Sequence, residues 1–302
     1  MKGGSGISIE KYQAFIKTVE LGSLSKAAEA LGYTQSNITH MLQGLEREYG
    51  FQLLIRNKAG IFLTENGKQV LEPMKKVISW NENLSQTVAK INGLQTGTLR
   101  IGMFPSVAVE WLPDIIQKFQ KKYPGIQIRL MDGDYDEIAE WLKSGKIDCG
   151  FLAQSENMAV NFIPLIQDAM LAILSKEHPM SNAATFPVGK FSEEAFIFPH
   201  RGLDSDVRQV LQQAKVIPNI KYDVRGDDAI IALVNKNLGV GMLPELYLKN
   251  HSKGIITKRI DPNFYRIIGI AVPEQEYKLP VVTQFIDCLQ KWLKDHYDDV
   301  LF

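Results

Sequence analysis

Hydrophobic positions near the start of the chain repeat with the period of an α-helix in three successive segments. Each segment has apolar residues at i, i+3, i+4 and i+7, and the three sets are Tyr12, Phe15, Ile16, Val19; Leu24, Ala27, Ala28, Leu31; and Ile38, Met41, Leu42, Leu45. Each set predicts a helix with one buried side. Gly32 can end the second helix in a left-handed conformation, and Thr34 can cap the third. Residues 23–48 therefore predict a helix-turn-helix, with the helix over 9–21 packed behind it.

The third helix carries a polar face. A rotation of about 100° per residue places Ser36, His40 and Gln43 opposite the apolar stripe, with Gln35 and Thr39 towards its edges. Side chains of this kind suit base edges and phosphates in a DNA groove. The alternative is an ordinary helical hairpin, because solvated polar faces are common on surface helices.

Two short apolar runs follow, over 51–55 and 61–63, and they flank Arg56 and Lys58. This pattern predicts a β-hairpin wing with two cations near its tip, where they can contact phosphates. A plain surface turn is the alternative. The residues predicted to contact DNA are Ser23, Ser25, Thr34, Gln35, Ser36, Asn37, Thr39, His40, Gln43, Arg56 and Lys58.

A long helix is predicted from Thr64, as its cap, to about residue 93. Its seam positions alternate in steps of four and three, as in a coiled coil, and they are Val70, Met74, Val77, Asn81, Leu84, Val88 and Ile91, of which Asn81 alone is polar. Such a seam indicates dimerisation, in which Asn81 would fix the register of the two helices. Packing on its own domain is the alternative. Pro73 is expected to kink the helix or to adjust its start.

Strand and helix patterns alternate from residue 97 onwards, with a helix over 107–120 after the first strand. This alternation predicts an α/β domain of two doubly wound lobes. Two crossovers, near 162–165 and 267–270, would join the lobes around a ligand cleft. The predicted domains are a winged helix-turn-helix over 1–63, a linker helix for dimerisation over 64–95 and an effector-binding domain over 96–302, with lobe I about 96–163 and 269–302 and lobe II about 164–268.

Composition and charge limit the class of protein and its cellular location. The chain has 302 residues, 45% of them hydrophobic, and zero formal net charge. Residues 1–95 hold 11 Lys plus Arg against 8 Asp plus Glu, and the remainder holds 23 against 26, so the N-terminal part is the more basic. Cys149 and Cys288 fit packed thiols in a reducing compartment. The start MKGGSG has no apolar signal segment, and no long apolar run predicts a membrane span, so we expect a cytoplasmic location.

The motifs of common catalytic sites do not occur in the sequence, and the five histidines lack metal-ligand spacing. We therefore expect neither an enzyme nor a metal or cofactor site. Small molecules in such lobes bind at strand ends and helix N-termini, and the residues predicted there are Ser106, Val107, Leu152, Ala153, His200, Arg201, Gly202, Asp227 and Asp228. Arg201 would suit a carboxylate or phosphate. Asp227 or Asp228 would suit a cation, although each residue of the set also fits an ordinary cap or loop position.

The segments GSLSKAAEALGYTQSNITHMLQGLEREYGFQLLIR and LTENG, followed by the long helix, resemble the LysR-type transcriptional regulators. TGTLRIG, KIDCGFL and NLGVGMLPE resemble the effector-binding domain of that family, whose two lobes share the architecture of periplasmic binding proteins. The resemblance implies that helix 35–48 enters the major groove, that Arg56 holds the backbone and that the long helix forms a homodimer. It also implies homotetramers, a small-molecule effector between the lobes, and control through DNA bending and RNA polymerase.

Two positions depart from the family pattern. Ser36 stands where proline is common, and His40 stands where arginine is common, so a contact usually made by a permanent cation falls here to an imidazole. The alternative from another class is a cytoplasmic solute receptor or enzyme whose N-terminal helices serve only assembly.

Overall fold

A computed structural model describes residues 8–57, 60–91, 96–155, 160–200, 205–273 and 279–302. Three predicted binding residues, Lys58, Arg201 and Gly202, lie outside these ranges. Ile91 lies within them, but only its backbone is described. The chain divides into two compact units, Met1–Leu94 and Gln95–Phe302.

The first unit begins with three helices at the predicted positions. They are α1 (Ile9–Leu21), α2 (Leu24–Leu31) and α3 (Gln35–Tyr49). Their apolar stripes meet in a core where Phe15, Ile38 and Leu42 are almost inaccessible to solvent. Gly32 ends α2 with a φ of 72°, and the Thr34 hydroxyl accepts a hydrogen bond from the N–H of Asn37. The predicted helix-turn-helix is confirmed, with Gly32 at the end of α2 and Thr34 as the cap of α3.

A β-hairpin follows the three helices. Its antiparallel strands are β1 (Leu54–Asn57) and β2 (Gly60–Leu63). The first strand begins later than the predicted 51–55 because Glu46 Oε1 accepts hydrogen bonds from the N–H groups of Leu53 and Leu54, at 2.8 and 3.2 Å. Since these bonds hold the chain against α3, Arg56 lies inside the ladder, opposite Ile61.

A single long helix, α4 (Glu65–Ile91), comes next. The Thr64 hydroxyl accepts a hydrogen bond from the N–H of Gly67 at 2.9 Å, which confirms Thr64 as the cap. Pro73 lies well inside the helix and does not set its start.

The apolar seam of α4 is divided between two environments. Met74 is 3% exposed, and Val70 and Val77 pack against the same core as α1. Further along, Leu84 is 63% exposed and Val88 is 47% exposed. Packing on its own domain therefore accounts for the first half of the seam, because α1 covers that part of α4.

The second unit opens with a parallel three-stranded arrangement flanked by helices. Its elements are β3 (Gly97–Met103), α5 (Pro105–Glu110), α6 (Leu112–Lys122), β4 (Ile126–Asp132), α7 (Tyr135–Lys143) and β5 (Cys149–Ala153). The single helix predicted over 107–120 is in fact two. The break falls at Trp111, because Pro113 at the start of α6 has no N–H to continue the hydrogen bonding of α5.

The rest of the second unit is built around two long antiparallel strands. The elements are β6 (Asn161–Ser175), β7 (Thr185–Pro187), a 3-10 helix (Val188–Ser192), β8 (Phe196–Pro199), α8 (Ser205–Ala214), β9 (Ile220–Val224), α9 (Asp227–Asn235), β10 (Gly241–Pro244), α10 (Glu245–His251), β11 (Ile255–Asp261), β12 (Tyr265–Val272) and α11 (Pro280–His296). The main sheet has the order β4-β3-β5-β12-β6-β11-β7, with β10 also paired to β6, and β8 pairs with β9.

The two predicted crossovers are the paired strands β6 and β12. Because β12 runs antiparallel to both β5 and β6, the sheet is mixed and continues through both lobes. The two-lobed α/β fold is confirmed, and its main sheet contains both parallel and antiparallel pairs. The local sequence pattern also missed β7, the 3-10 helix and α10.

Candidate nucleic-acid interface and ligand cavity

The polar face of α3 is open to solvent. Its exposed residues are Gln35, Ser36, Asn37, His40 and Gln43, and Thr39 is half-buried. The opposite face buries Ile38, Leu42 and Leu45 in the core of the first unit. The helix can therefore offer hydrogen-bonding groups to a groove without any change in its packing.

Polar residues around the turn fix the orientation of α3. The Ser23 and Thr34 hydroxyls cap α2 and α3 by accepting from the N–H groups of Lys26 and Asn37. Ser25 Oγ donates to Gln35 Oε1 at 2.9 Å, which links the two helices through exposed side chains. This hydrogen bond from α2 to Gln35 Oε1 also fixes the orientation of the amide nitrogen of Gln35.

Cations lie beside this face. Arg56 is exposed on β1. Arg47, which the sequence analysis did not select, lines a shallow groove with His40 and Gln43, and its Nε donates to the Gln43 carbonyl at 3.2 Å. The helical position of Arg47, four residues after Gln43, was the signal that could have identified it.

The second unit contains a cavity of about 330 Å³ between its lobes. Lining residues from the first lobe include Phe104, Ser106, Asp134 and Tyr135. Those from the second lobe include Met170, Asp206, Val207, Asp227, Asp228, Met242 and Tyr247, and Arg266 lies between the two groups. A volume of this size suits a small molecule.

Arg266 is the central charged group of the cavity. It is 5% exposed, and its Nε donates to Asp168 Oδ2 at 2.8 Å. Its Nη1 donates to Tyr135 Oη and Asp206 Oδ2, each at 2.9 Å, and its Nη2 donates to Ser106 Oγ at 2.9 Å. Because Ser106 and Tyr135 belong to one lobe and Asp206 to the other, Arg266 joins the two lobes.

Arg266 is not among the residues predicted to bind the effector. The available signal was a charged residue inside the otherwise apolar strand β12, which buries nearly all of its other side chains. A guanidinium in such a strand requires buried partners, and those partners lie 60 to 160 residues earlier in the chain.

The cavity brings together three of the predicted effector residues, Ser106, Asp227 and Asp228. Val107, Leu152 and Ala153 do not line it, and their side chains are buried. His200 does not line it either; its Nδ1 lies 2.6 Å from Asp223 Oδ1 in an exposed pair.

Burial alters the acid–base properties of the cavity residues. It raises the pKa of Asp168, against the opposing charge of Arg266. It likewise raises the pKa of Tyr135 well above its ordinary value. Burial raises the pKa of Asp227 to about 6, although Arg266 acts in the opposite direction. Asp228 accepts a hydrogen bond from Tyr247 Oη at 2.9 Å.

Across the described ranges, no helix is both long and apolar enough to cross a membrane. Within the same residues, no group of three or more His, Cys, Asp or Glu side chains is placed to hold a metal ion.

A winged helix-turn-helix on one unit and a ligand-sized cavity between the lobes of the other define a DNA-binding regulator that responds to a small molecule. Residues 9–68 match the family model "Bacterial regulatory helix-turn-helix protein, lysR family", and residues 92–294 match "LysR substrate binding domain". The chain belongs to the LysR family of transcriptional regulators.

Individual relatives agree with this assignment. The chain is 30% identical to the uncharacterised HTH-type transcriptional regulator YvbU of Bacillus subtilis, over 88% of this chain and 92% of the relative. A full-length OxyR variant from Pseudomonas aeruginosa has the same fold, with a TM-score of 0.75 and 18% identity over 96% of both chains. Full-length CbnR in complex with its target DNA has a TM-score of 0.64 and 21% identity, over 94% of this chain and 99% of that one.

Proposed function

We propose that α3 and the β1–β2 hairpin of this regulator form its DNA-contacting surface, and that its effector occupies the cavity around Arg266. The bridge that Arg266 makes from Ser106 and Tyr135 to Asp206 carries the effector assignment. A ligand that enters this cavity meets groups from both lobes at once. It can therefore change the relative stability of their arrangements.

The DNA assignment rests on the exposure and chemistry of α3. Gln35 and Gln43 supply amides, which can pair with adenine in the major groove, whereas Ser36, Asn37 and Thr39 supply smaller polar groups. Ser23 and Thr34 would act indirectly by capping the two helices, and Ser25 by holding Gln35. Arg56 and Lys58 would contact phosphates from the wing.

The second half of α4 would provide the dimer contact. Asn81, Leu84 and Val88 are exposed at seam spacing, and the same surface on a second copy would cover the apolar side chains. The working division is then a DNA-binding domain over 1–63, a linker over 64–95 and an effector domain over 96–302. Two dimers would form the homotetramer.

Effector binding would act on transcription through DNA bending and contact with RNA polymerase, and not through catalysis. Because the target is chromosomal DNA, the site of action would be the bacterial cytoplasm.

The double variant Gln35→Ala, Gln43→Ala tests the DNA assignment. A preferred duplex is first selected from a random library with the unchanged full-length protein. In the double variant, the ratio of affinity for this duplex to affinity for random duplex should fall by about tenfold or more, since each lost amide contact to a base is worth about 1–3 kcal/mol. Thermal unfolding should not change, because both side chains are exposed.

Gln13→Ala, an exposed glutamine on α1, is the matched control and should retain the preference. Retained preference in the double variant would contradict the assignment. Absence of any selectable duplex for the unchanged protein would favour the solute-receptor alternative.

A further inference from the structure

The guanidinium of Arg266 already has protein partners for all of its N–H donors. A guanidinium has five N–H donors, and in Arg266 they face Asp168, Tyr135, Asp206 and Ser106 at 2.7–2.9 Å, with Asp168 Oδ2 next to both Nε and Nη2. Two carboxylates neutralise its charge. An anionic ligand would have to break these buried contacts before it could pair with Arg266.

The negative charge of the cavity is in excess. Among the described lining residues, four carboxylates, Asp134, Asp206, Asp227 and Asp228, stand against the single guanidinium of Arg266.

Asp227 is the carboxylate with the fewest commitments. Asp206 pairs with Arg266, Asp134 caps α7 and Asp228 accepts from Tyr247. Asp227 is half-buried at the cavity wall, and within the described ranges its carboxylate has neither a hydrogen bond nor an ion pair. Partial burial disfavours a charged carboxylate, and a cation beside the half-buried Asp227 would offset part of that cost.

The remaining wall is apolar. Met170, Val207 and Met242 come from the second lobe, and Phe104 comes from the first. These side chains offer no hydrogen bonds and suit the hydrocarbon or aromatic part of a ligand.

We propose that the effector is a small organic cation, an amine or guanidine with an apolar body, whose charged group pairs with Asp227 while its body packs on Met170, Val207 and Met242. This rests on the proposed function, in which the cavity is the effector site.

The ionisation of Asp227 gives the proposal a pH signature. Because burial raises the pKa of Asp227 to about 6, the carboxylate is charged at pH 7.5 and largely protonated at pH 5. Affinity for a cation should therefore fall as the pH is lowered through 6, by up to about tenfold per pH unit, as follows from linkage.

Benzylamine and benzoate are suitable probes because they share a ring and differ in the sign of their charge. Each is added to the full-length protein at pH 7.5 at matched ionic strength, and the unfolding temperature is measured. Benzylamine should raise it in a concentration-dependent way, since a ligand that binds the folded state stabilises it, and benzoate should not.

Asp227→Asn should weaken the benzylamine response by about tenfold or more through loss of the charge pair. Asp287→Asn, which removes an exposed carboxylate on α11, should retain the response. A larger shift with benzoate, an undiminished benzylamine shift in Asp227→Asn, or no shift with either probe would overturn the proposal.

The same preparations are assayed for binding to the selected duplex. Duplex binding without a benzylamine response rejects only the cationic effector. Loss of duplex binding in the unchanged protein rejects the proposed function itself, so the two failures remain distinct.

Discussion

The α3 surface and the Arg266 cavity are both polar, but they are built in opposite ways. On α3 the polar groups are exposed and mostly neutral, and the Ser25–Gln35 hydrogen bond joins residues ten positions apart. At the cavity the central pair, Arg266 with Asp168, is charged and buried, and Ser106 and Arg266 are 160 positions apart. Exposed contacts contribute little to folding, whereas a buried ion pair that loses one member is strongly destabilising. The first surface can therefore change its specificity freely, whereas a change at Arg266 or at one of its buried partners costs stability.

Arg266→Met should have the largest effect on stability. It leaves Asp168 buried without its cation, and such a loss costs about 3–5 kcal/mol. Urea unfolding followed by tryptophan fluorescence suits this measurement, because three of the four tryptophans, Trp111, Trp141 and Trp292, belong to the second unit and Trp80 alone to the first. Arg129→Met, an exposed arginine on β4, is the matched control and should be nearly neutral. Equal stability of the two variants would remove the contrast between cavity and surface.

Asp227→Asn should have an intermediate effect of the opposite sign. A carboxyl with a raised pKa binds its proton more tightly in the folded state, so its stabilising contribution is lost as the pH rises from 3.8 towards about 6. Asparagine does not ionise, and the variant without ligand should be more stable than the parent at pH 7 by about 1–2 kcal/mol after allowance for partial exposure.

Unfolding free energies measured from pH 4 to pH 7.5 should converge at the acidic end, and Asp287→Asn should follow the parent throughout. A variant that is less stable than the parent at pH 7 would contradict the raised pKa of Asp227.

Ser25→Ala should have the smallest effect. The Ser25–Gln35 hydrogen bond is exposed, and its loss should change the free energy of unfolding by less than about 0.5 kcal/mol. Duplex affinity should still fall a few-fold, because the Gln35 amide loses its fixed orientation. Ser192→Ala, which removes an exposed serine hydroxyl of the second unit that donates to the Gly189 carbonyl, is the control for both measurements. A stability loss similar to that of Arg266→Met would mean that α3 is as sensitive as the cavity.

The same contrast explains what the sequence could predict. The bounds of α1, α2 and α3 follow from local periodicity and from short-range signals such as Gly32 and Thr34, so they match closely. Arg266 could not be assigned its partners, because Ser106, Tyr135 and Asp206 approach it only through the pairing of distant strands and helices. The prediction that the whole seam of α4 faces a second copy met a similar limit. The spacing of its apolar residues does not reveal that Met74 packs in the same core as α1.

Strand β6 has a mechanical consequence for any signal that the cavity sends. Its 15 residues pair with β12 at one end of the domain and with β10 and β11 at the other, so both lobes share one hydrogen-bonded ribbon. A hinge motion that separates the lobes would break ladder hydrogen bonds, each worth about 0.5–1.5 kcal/mol. Twisting the ribbon preserves them. Torsion about β6 therefore keeps more of these hydrogen bonds than opening does, and the ladder between β6 and β12 is interrupted by the register shift at Ile268/Gly269.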